Sequence, residues 1–386
     1  MSASRGDERN TSRHTLGAHR SHPMQEWKFP DDPSQLTPEL LTAAMAVDRP
    51  GLVVREVEVV ETIACESGFA STADRVVLDL AYAPGAASAD LPKRVILKTM
   101  LVAPHAPAVM YETEVRFYRE IRPGVPFEAP QFYAGLFDAK TGQFGIVMED
   151  LRECDAVFGN VTLSISLAQV HSLIRNLAAL HAKYWESPAL KQELGWLATP
   201  AGGGMSDFFQ QVLPLIEGHL RTDPWRNEIL AAIGRPVKQL FADMLAIQAG
   251  PLESGPRTLL HGDTHLGNTY LLTGNETGLL DFQLAMQGCY SRDLTYILTT
   301  ALTIEQRRRH ERELIAFYLQ ELRRGGVANV PDMNQAWQLH RLSAYWGLVI
   351  GWLTCPTPNY GREITEENLR RLTAAMIDLE SVAAFG

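Results

Sequence analysis

The sequence has few cysteines and little positive charge, and it lacks a long apolar segment. Its four cysteines are scattered over 386 residues with no C-x-x-C pair, which excludes a disulfide framework and a zinc knuckle. The formal net charge of -10 argues against nucleic-acid binding, because phosphate recognition depends on clustered lysine and arginine. No apolar run reaches membrane-spanning length, and the N-terminus lacks the apolar core of a secretory signal. We therefore expect a cytoplasmic protein that binds neither nucleic acid nor a membrane.

The distribution of apolar residues divides the chain into three parts. Residues 1–24 are polar and contain no aromatic residue, so we expect a disordered tail there. From about residue 50 to 148 the pattern is strand-like with one helix, and after about residue 160 it is mostly helical. This asymmetry predicts an α+β chain with an N-lobe over residues 25–148 and a helical C-lobe over residues 149–386.

Two segments of the strand-rich part alternate between apolar and polar residues. "RVVLDLAY" (75–82) and "RVILKTM" (94–100) are separated by a loop with proline and glycine, which predicts an antiparallel hairpin. Lys98 lies between apolar neighbours in the second segment, where an inward-pointing ammonium group requires a counter-charge. Taken alone, a lysine in this pattern also fits the solvent face of a half-exposed strand.

A predicted helix over residues 109–121 supplies a candidate counter-charge. Its apolar face repeats at helical spacing and contains a single acid. The residues of that face are Met110, Glu114, Phe117 and Ile121. A buried carboxylate requires a cation, and Lys98 is available on a neighbouring strand. We therefore predict a buried ion pair between Lys98 and Glu114, with pairing of a partly exposed Glu114 to a local arginine as the alternative.

The segment "LLHGDTHLGNTYLL" (259–272) places polar residues between two apolar runs. Its end, "NTYLL", and the later "GLLDF" are short strands joined by a turn, so Asn268 and Asp281 lie at neighbouring ends of a predicted hairpin. Asp263 precedes Asn268 on the same loop, and carboxylate and amide oxygens are ligands that Mg²⁺ prefers. A metal on nucleotide phosphates, a lysine tied to a helix glutamate and an aspartate near the attacking hydroxyl are the parts that phosphoryl transfer requires.

These motifs, taken in order, resemble those of a known superfamily. "HGDTHLGN" followed by "LLDFQ", with "KTM", "EVRFYRE" and "IVMEDL" before them, resembles the aminoglycoside phosphotransferase and choline kinase superfamily. "TADRVVLDLAY" and "SRDLTYIL" are similar to its ecdysteroid-kinase-like bacterial branch in particular. The resemblance covers roughly residues 40–380. It implies a protein-kinase-like, two-lobed α+β fold with a small antiparallel-sheet N-lobe and a mostly helical C-lobe.

The resemblance also implies an activity and a role for each matching residue. The protein would transfer the γ-phosphoryl group of ATP to a hydroxyl of a small metabolite or antibiotic, with Mg²⁺ as the metal. Asp263 would accept or orient the acceptor hydroxyl, while Asn268 and Asp281 would bind Mg²⁺. Lys98 would contact the α- and β-phosphates, and Glu114 would position it. The adenine would meet backbone groups of the "MEDL" segment at Met148, Glu149 and Leu151.

One segment departs from the family pattern. Where a glycine-rich phosphate loop should lie, the chain has "TIACESGFASTADR" (62–75), with a single glycine. Backbone amides there can still hold a phosphate, although one glycine gives less room for a close approach. The residues predicted to contact phosphate are Ser67, Gly68, Ser71 and Thr72.

Other polar and aromatic residues support more than one interpretation. His261 is predicted to hold the catalytic loop, and His265 to shape that loop or approach the phosphates. Asp293 either ties the loop backbone, as the resemblance implies, or caps a helix. His181 lies on an apolar helical stripe and is interpreted as a core histidine. The aromatics of "NQAWQLHRLSAYWGLVIGWL" are interpreted as core in preference to an acceptor pocket.

Two other functions are compatible with parts of the sequence. His261, Asp263 and His265 could bind a metal for hydrolysis, although that reading leaves Lys98 and Glu114 unexplained. A kinase-like nucleotide-binding module without transfer is the second alternative. The acceptor can be an antibiotic, an amino alcohol such as choline, a sugar or a sterol-like alcohol, and the sequence does not specify the oligomeric state.

Overall fold

The smaller lobe is an antiparallel sheet. The structure is a computed structural model that describes residues 29–64, 72–101 and 106–386. The strands are β1 (Val54–Ile63), β2 (Asp74–Tyr82), β3 (Arg94–Thr99), β4 (Phe132–Phe137) and β5 (Phe144–Glu149). They pair in the order β1-β2-β3-β5-β4, so the predicted hairpin of β2 and β3 is confirmed and β3 lies at the centre of the sheet.

The two faces of this sheet have different neighbours. One face packs against helix α1 (Pro38–Ala46), with Leu78 and Leu97 fully buried in the same apolar cluster. The other face turns Ile96 and Lys98 toward the space between the lobes. Successive side chains of a strand point to opposite faces, so the alternation that buries Leu97 also aims Lys98 at that space.

The predicted helix over residues 109–121 connects the sheet to the larger lobe. It consists of α2 (Ala108–Arg116) and a π-helical turn (Phe117–Ile121). Its predicted apolar face is buried, Glu114 included. The ring of Phe117 stacks on that of Phe282 in the larger lobe, with centroids 3.8 Å apart. The element that carries Glu114 is therefore held by both lobes.

Helices form most of the larger lobe. The helix predicted near residue 163 begins a few residues later, because Ser166 and Gln169 form a capping box at its start. The helices are α3 (Leu167–Tyr184), α4 (Met205–Phe209), α5 (Leu213–Thr222), α6 (Trp225–Leu230), α7 (Val237–Ala249), α8 (Ser291–Ala301), α9 (Ile304–Arg324), α10 (Met333–Trp346), α11 (Thr357–Asp378) and α12 (Ser381–Phe385). Every residue of α8 is buried, so this helix is the centre of the lobe.

Short strands of the larger lobe position the loops that face the smaller lobe. These strands are β6 (Val157–Phe158), β7 (Arg257–Leu260), β8 (Thr269–Leu271), β9 (Thr277–Leu279) and β10 (Met286–Cys289). β7 pairs with β10, and β8 pairs with both β6 and β9. The predicted hairpin of "NTYLL" and "GLLDF" is confirmed as β8 and β9. The loop between β7 and β8 and the residues after β9 therefore meet at one edge.

An antiparallel-sheet lobe joined to a helical lobe confirms the predicted α+β class. The lobe boundary predicted at residues 148 and 149 falls at the end of β5 and stays a prediction. The predicted tail over residues 1–24 lies outside the described residues. In the part of the chain that the structure describes, no helix combines the length and apolarity needed to span a bilayer.

Candidate active site

A cleft of about 830 Å³ lies between the sheet and the larger lobe. The smaller lobe contributes Lys98 and Glu114 to its wall, and the larger lobe contributes Asn268 and Asp281. Residues that the sequence singled out at distant positions therefore face one space. The volume lies in the range of pockets that enclose small-molecule ligands.

Lys98 is held between two carboxylates. Its Nζ lies 2.9 and 2.7 Å from the two carboxylate oxygens of Glu114, so the predicted ion pair is present. The same nitrogen lies 3.4 Å from Oδ1 of Asp281. Burial alone would lower the pKa of Lys98, but the carboxylates of Asp281 and Glu114 raise it above its usual value. The lysine therefore presents a fixed positive charge to the cleft.

Asp281 has an unusual backbone conformation. It follows β9 with a φ of 66°, in the left-handed region that side-chain-bearing residues adopt at a cost of about 1 kcal/mol or more. The backbone N–H of Leu280 donates to the carbonyl of Asn268 over 3.0 Å. The next residue, Phe282, is buried and packs on the ring of His261, with centroids 4.6 Å apart. Packing on both sides thus holds the turn that aims Asp281 at the lysine.

Asn268 and Asp263 are joined directly. The side-chain amide of Asn268 donates to the backbone carbonyl of Asp263 over 2.9 Å and to its carboxylate over 3.0 Å. Both partners are acceptors, which fixes the orientation of the amide and leaves its oxygen for another ligand. These hydrogen bonds therefore fix the position of the Asp263 carboxylate relative to the amide oxygen of Asn268.

Asp293 ties the backbone of this loop. Its two carboxylate oxygens accept hydrogen bonds from the backbone N–H groups of His261 (2.6 Å) and Gly262 (3.1 Å). Its backbone carbonyl accepts one from the hydroxyl of Thr264 (2.7 Å). Helix α8 begins two residues earlier, at Ser291, so Asp293 does not cap it. Of the two interpretations of this residue, the loop tie is the one the geometry supports.

A buried histidine contacts the carboxylate of Asp293. His181 is fully buried, as expected for a core histidine. Its Nε2 lies 3.4 Å from the carboxylate of Asp293, and its Nδ1 lies 2.6 Å from the hydroxyl of Tyr318. The core histidine therefore also fixes the residue that ties the loop.

Gly262 is required at its position by two independent features. Its φ of 89° lies in the left-handed region, where a side chain is strained. A Cβ atom there would lie 1.9 Å from the backbone oxygen of Leu284. The glycine of the "HGD" motif thus lets the loop pass close to the segment that follows Asp281.

The two histidines of the loop have structural contacts. Nε2 of His261 lies 3.0 Å from the carbonyl oxygen of Leu280, and its Nδ1 accepts a hydrogen bond from the N–H of Asp263. Both ring nitrogens of His261 are therefore occupied. In the described parts of the chain, no three histidine, cysteine or acidic residues are grouped to hold a metal. The geometry gives no support to the hydrolase alternative.

His265 contacts both the loop and the far end of the cleft. Its Nδ1 accepts a hydrogen bond from the N–H of Gly267 over 3.0 Å, which places the ring proton on Nε2. Nε2 lies 3.4 Å from the hydroxyl of Tyr360 and 3.7 Å from the carboxylate of Asp263. Burial lowers the pKa of His265, so the ring is neutral. The contacts fit the loop-shaping interpretation.

The residues present fit a magnesium ion. Oδ1 of Asp281 is buried and has no hydrogen-bond partner among the described residues. The amide oxygen of Asn268 is the second hard oxygen ligand on the same cleft wall. Mg²⁺ takes one or two such protein oxygens and completes its shell with water and phosphate.

The predicted adenine segment lies at the end of β5. Met148, Glu149 and Leu151 all line the cleft, as does Ile96 from the sheet. The carboxylate of Glu149 accepts a hydrogen bond from the N–H of Gln131 over 3.0 Å. The backbone N–H of Glu149 donates to the carbonyl of Gln131, also over 3.0 Å, so Gln131 engages both the side chain and the N–H of this residue. The backbone contacts to adenine stay a prediction.

The predicted phosphate contacts have a different outcome. Ser67, Gly68 and Ser71 lie outside the described residues. Thr72 is described, but its hydroxyl donates to the side chain of Gln283 over 2.6 Å, and it does not line the cleft. Thr72 therefore joins the smaller lobe to the segment after Asp281.

Several residues of the cleft wall were not predicted. Arg75, Trp352 and Tyr360 line it, and only the strand pattern around Arg75 carried a usable signal. Tyr360 reaches the cleft because Gly361, with a φ of 78°, breaks the helical path of α11. Its ring centroid lies 5.0 Å from that of Trp352. The other aromatic rings of "NQAWQLHRLSAYWGLVIGWL" lie in the helical core, as interpreted from the sequence. His340, Tyr345 and Trp346 are buried, and Trp337 is partly buried.

Comparisons with known proteins agree with this fold. The model of the ecdysteroid kinase-like family matches residues 67–325, which is more than half of the chain. The chain belongs to this family, and the prediction of a kinase-like phosphotransferase is confirmed. No curated protein sequence matches the chain.

Solved structures with the same architecture have distant sequences. An ethanolamine kinase from Plasmodium vivax is 14% identical, with a TM-score of 0.50 over 89% of this chain and 84% of that chain. A spectinomycin phosphotransferase, solved with ADP and spectinomycin, is also 14% identical. Its TM-score is 0.47, over 90% of this chain and 99% of that chain. The likeness to the ethanolamine kinase confirms the two-lobed kinase-like fold.

Proposed function

We propose that the protein is a small-molecule kinase that transfers the γ-phosphoryl group of ATP to an alcohol, with Mg²⁺. The observation that carries the proposal is the convergence of Lys98, paired with Glu114, with Asn268 and Asp281 at one cleft. Asp263 does not line the cleft itself, but its carboxylate accepts a hydrogen bond from Asn268 on the cleft wall. These are the groups that phosphoryl transfer requires.

In this mechanism Lys98 neutralises charge on the nucleotide, and Asp263 orients the acceptor. The hydroxyl oxygen attacks the γ-phosphorus while the bond to the leaving ADP oxygen breaks. Asp263 accepts the hydroxyl proton, and the loose transition state makes positioning more important than early proton removal. The hydrogen bonds from Asn268 to Asp263 keep the carboxylate in one place during this step. Asn268 and Asp281 would hold Mg²⁺, which supplies charge neutralisation on the phosphate oxygens.

The acceptor that fits best is an uncharged alcohol with an apolar body. The cleft end beside His265 is lined by Val161, Trp352, Tyr360 and Ile364. The acidic residues of the described cleft wall already have partners: Glu61 and Asp150 pair with Arg152, Glu114 and Asp281 pair with Lys98, and Glu149 accepts a hydrogen bond from Gln131. A polycationic aminoglycoside requires carboxylates there, whereas aromatic and aliphatic side chains suit a flat apolar molecule. The description of the matched family, ecdysteroid kinase-like, favours a sterol-like alcohol within this class.

The test is a phosphorylation assay with purified protein, ATP and Mg²⁺, read by mass gain of the acceptor. The panel includes sterol-like alcohols, amino alcohols, sugars and aminoglycosides. We expect phosphate on an uncharged alcohol and none on aminoglycosides. An aminoglycoside as the best acceptor would refute the acceptor class alone.

Asp263→Asn is the matched control for catalysis. We expect it to lower the rate of transfer by about 10²- to 10⁴-fold, because the substrate hydroxyl then has no carboxylate to take its proton. ADP binding, measured by calorimetry, should stay close to that of the wild type. An Asp263→Asn variant with full activity contradicts the mechanism. Wild-type protein that binds MgADP but phosphorylates nothing favours the module without transfer.

A further inference from the structure

Arg75 faces Lys98 across two neighbouring strands. The register of β2 and β3 makes the two residues direct cross-strand partners. Directly opposed residues of an antiparallel pair point to the same face of the sheet. Both side chains line the cleft, while their neighbours Val76 and Leu97 are buried on the opposite face. Two cations therefore stand side by side above the candidate nucleotide site.

This arrangement places two positive charges where an anion in the cleft can contact both. Like charges directly opposite one another in a sheet are destabilising. Burial lowers the pKa of Arg75, and the carboxylates of Asp281 and Glu114 offset part of that effect. Those are the same two carboxylates that stabilise the charge of Lys98. An anion bound beside both side chains would reduce the repulsion between them.

Arg152 is a second arginine of the cleft wall, and its guanidinium binds carboxylates of the protein. Arg152 also lines the cleft, but its guanidinium binds Asp150 through Nε (2.9 Å) and Nη2 (2.8 Å). Its Nη1 binds Glu61 over 2.8 Å. All three contacts hold the end of β5 and the end of β1 together. Arg152 therefore has a structural use in this fold.

We propose that Arg75 is a nucleotide-binding residue that contacts phosphate oxygens beside Lys98. The inference rests on the proposed function, since it requires that a nucleotide occupies the cleft. A guanidinium presents donors in a planar fork that matches two phosphate oxygens, while an ammonium acts as a point charge. The pair thus supplies one directional and one compact cation to the same polyphosphate.

The test is calorimetric binding of ADP and of adenosine to the wild type and to Arg75→Met. Charge-assisted hydrogen bonds contribute roughly 1.5–3 kcal/mol, so we expect ADP to bind about 10- to 100-fold more weakly to the variant. Adenosine lacks phosphate, so its affinity should stay within about two-fold. Arg75→Lys keeps the charge and should restore most of the ADP affinity. Equal losses for ADP and adenosine, or no loss for either, would overturn the proposal.

Two controls separate this proposal from other causes. Arg55 is an exposed arginine of β1, and Arg55→Met should leave ADP binding unchanged. Thermal unfolding of each variant, measured without ligand, shows whether a loss of affinity reflects a loss of folded protein. If the wild type itself binds no ADP, the proposed function fails. If the wild type binds ADP and Arg75→Met binds it equally well, only the role of Arg75 fails.

Discussion

Two buried ion pairs of this protein have similar chemistry and different surroundings. Lys98 and Glu114 have side-chain exposures of 8% and 1%, and Arg307 and Glu311 have 1% and 10%. Each pair has a nitrogen to oxygen contact of 2.7 or 2.8 Å. Burial and distance alone therefore cannot tell which pair serves catalysis.

The pairs differ in what lies beside them. Arg307 also binds Asp378 of α11, and Glu311 lies 3.6 Å from His340 of α10, so this pair connects three helices and does not line the cleft. Beside Lys98 is Asp281, whose Oδ1 is buried without a hydrogen bond on the wall of a large cleft. A buried ion pair inside the helical core serves the fold, whereas one on the wall of a cleft is available to a ligand.

Lys98→Met should give the largest effect on activity. The variant keeps most of the length of the side chain and removes the charge that faces the nucleotide. We expect kcat for phosphoryl transfer to fall by about 100- to 1,000-fold. Burial raises the pKa of the Glu114 carboxyl, so this group takes up a proton in the variant and limits the loss of stability. Steady-state rates that match the wild type would assign this pair to the structural class.

Arg307→Met should show the opposite pattern. Removing Arg307 takes the cation from the buried Glu311 carboxylate, while Asp378 keeps its hydrogen bonds from Arg308. We expect this to lower the free energy of unfolding by up to about 3–5 kcal/mol. The rate per folded molecule should not change, because the network lies in the helical core. Urea unfolding and rates measured on the same sample check both parts. A drop in kcat without a drop in stability would remove the contrast between the pairs.

Asp293→Asn should lower both kcat and stability, each by less than the two preceding substitutions. Asp293 lies in the core but holds the backbone of the catalytic loop at His261 and Gly262. An asparagine accepts with only one side-chain atom, so we expect a loss of about 1.5–3 kcal/mol in stability. The displaced loop should lower kcat by ~10-fold or more. Unchanged kcat in a destabilised variant would show that the loop keeps its geometry without this tie.

Periodicity in the sequence was sufficient to predict the Lys98 pair. The helical spacing around Glu114 and the alternation around Lys98 each select a face, and burial then requires the two charges to meet. The β8 and β9 hairpin was predictable for a similar reason, since turn residues separate two short apolar runs. The same alternation also contained the position of Arg75, once the register with β3 is known.

Other features of the site depend on tertiary contacts that local patterns do not contain. Whether Asp293 caps a helix or ties a loop depends on where α8 begins, and the helix begins at Ser291 with Tyr290 in the N-cap position. Tyr360 enters the cleft because of a break at Gly361 inside a helical pattern. Trp352 combines 2% exposure with a place on the cleft wall, so core and pocket were not exclusive alternatives for it.

The left-handed backbone at Asp281 has an evolutionary consequence. Glycine adopts this conformation without strain, so a chain that no longer needed the carboxylate would gain stability from an Asp281→Gly substitution. Drift should therefore favour glycine at this position once selection for activity is relaxed. Among descendants of this protein, the residue at 281 would record whether the ancestral chemistry is still under selection.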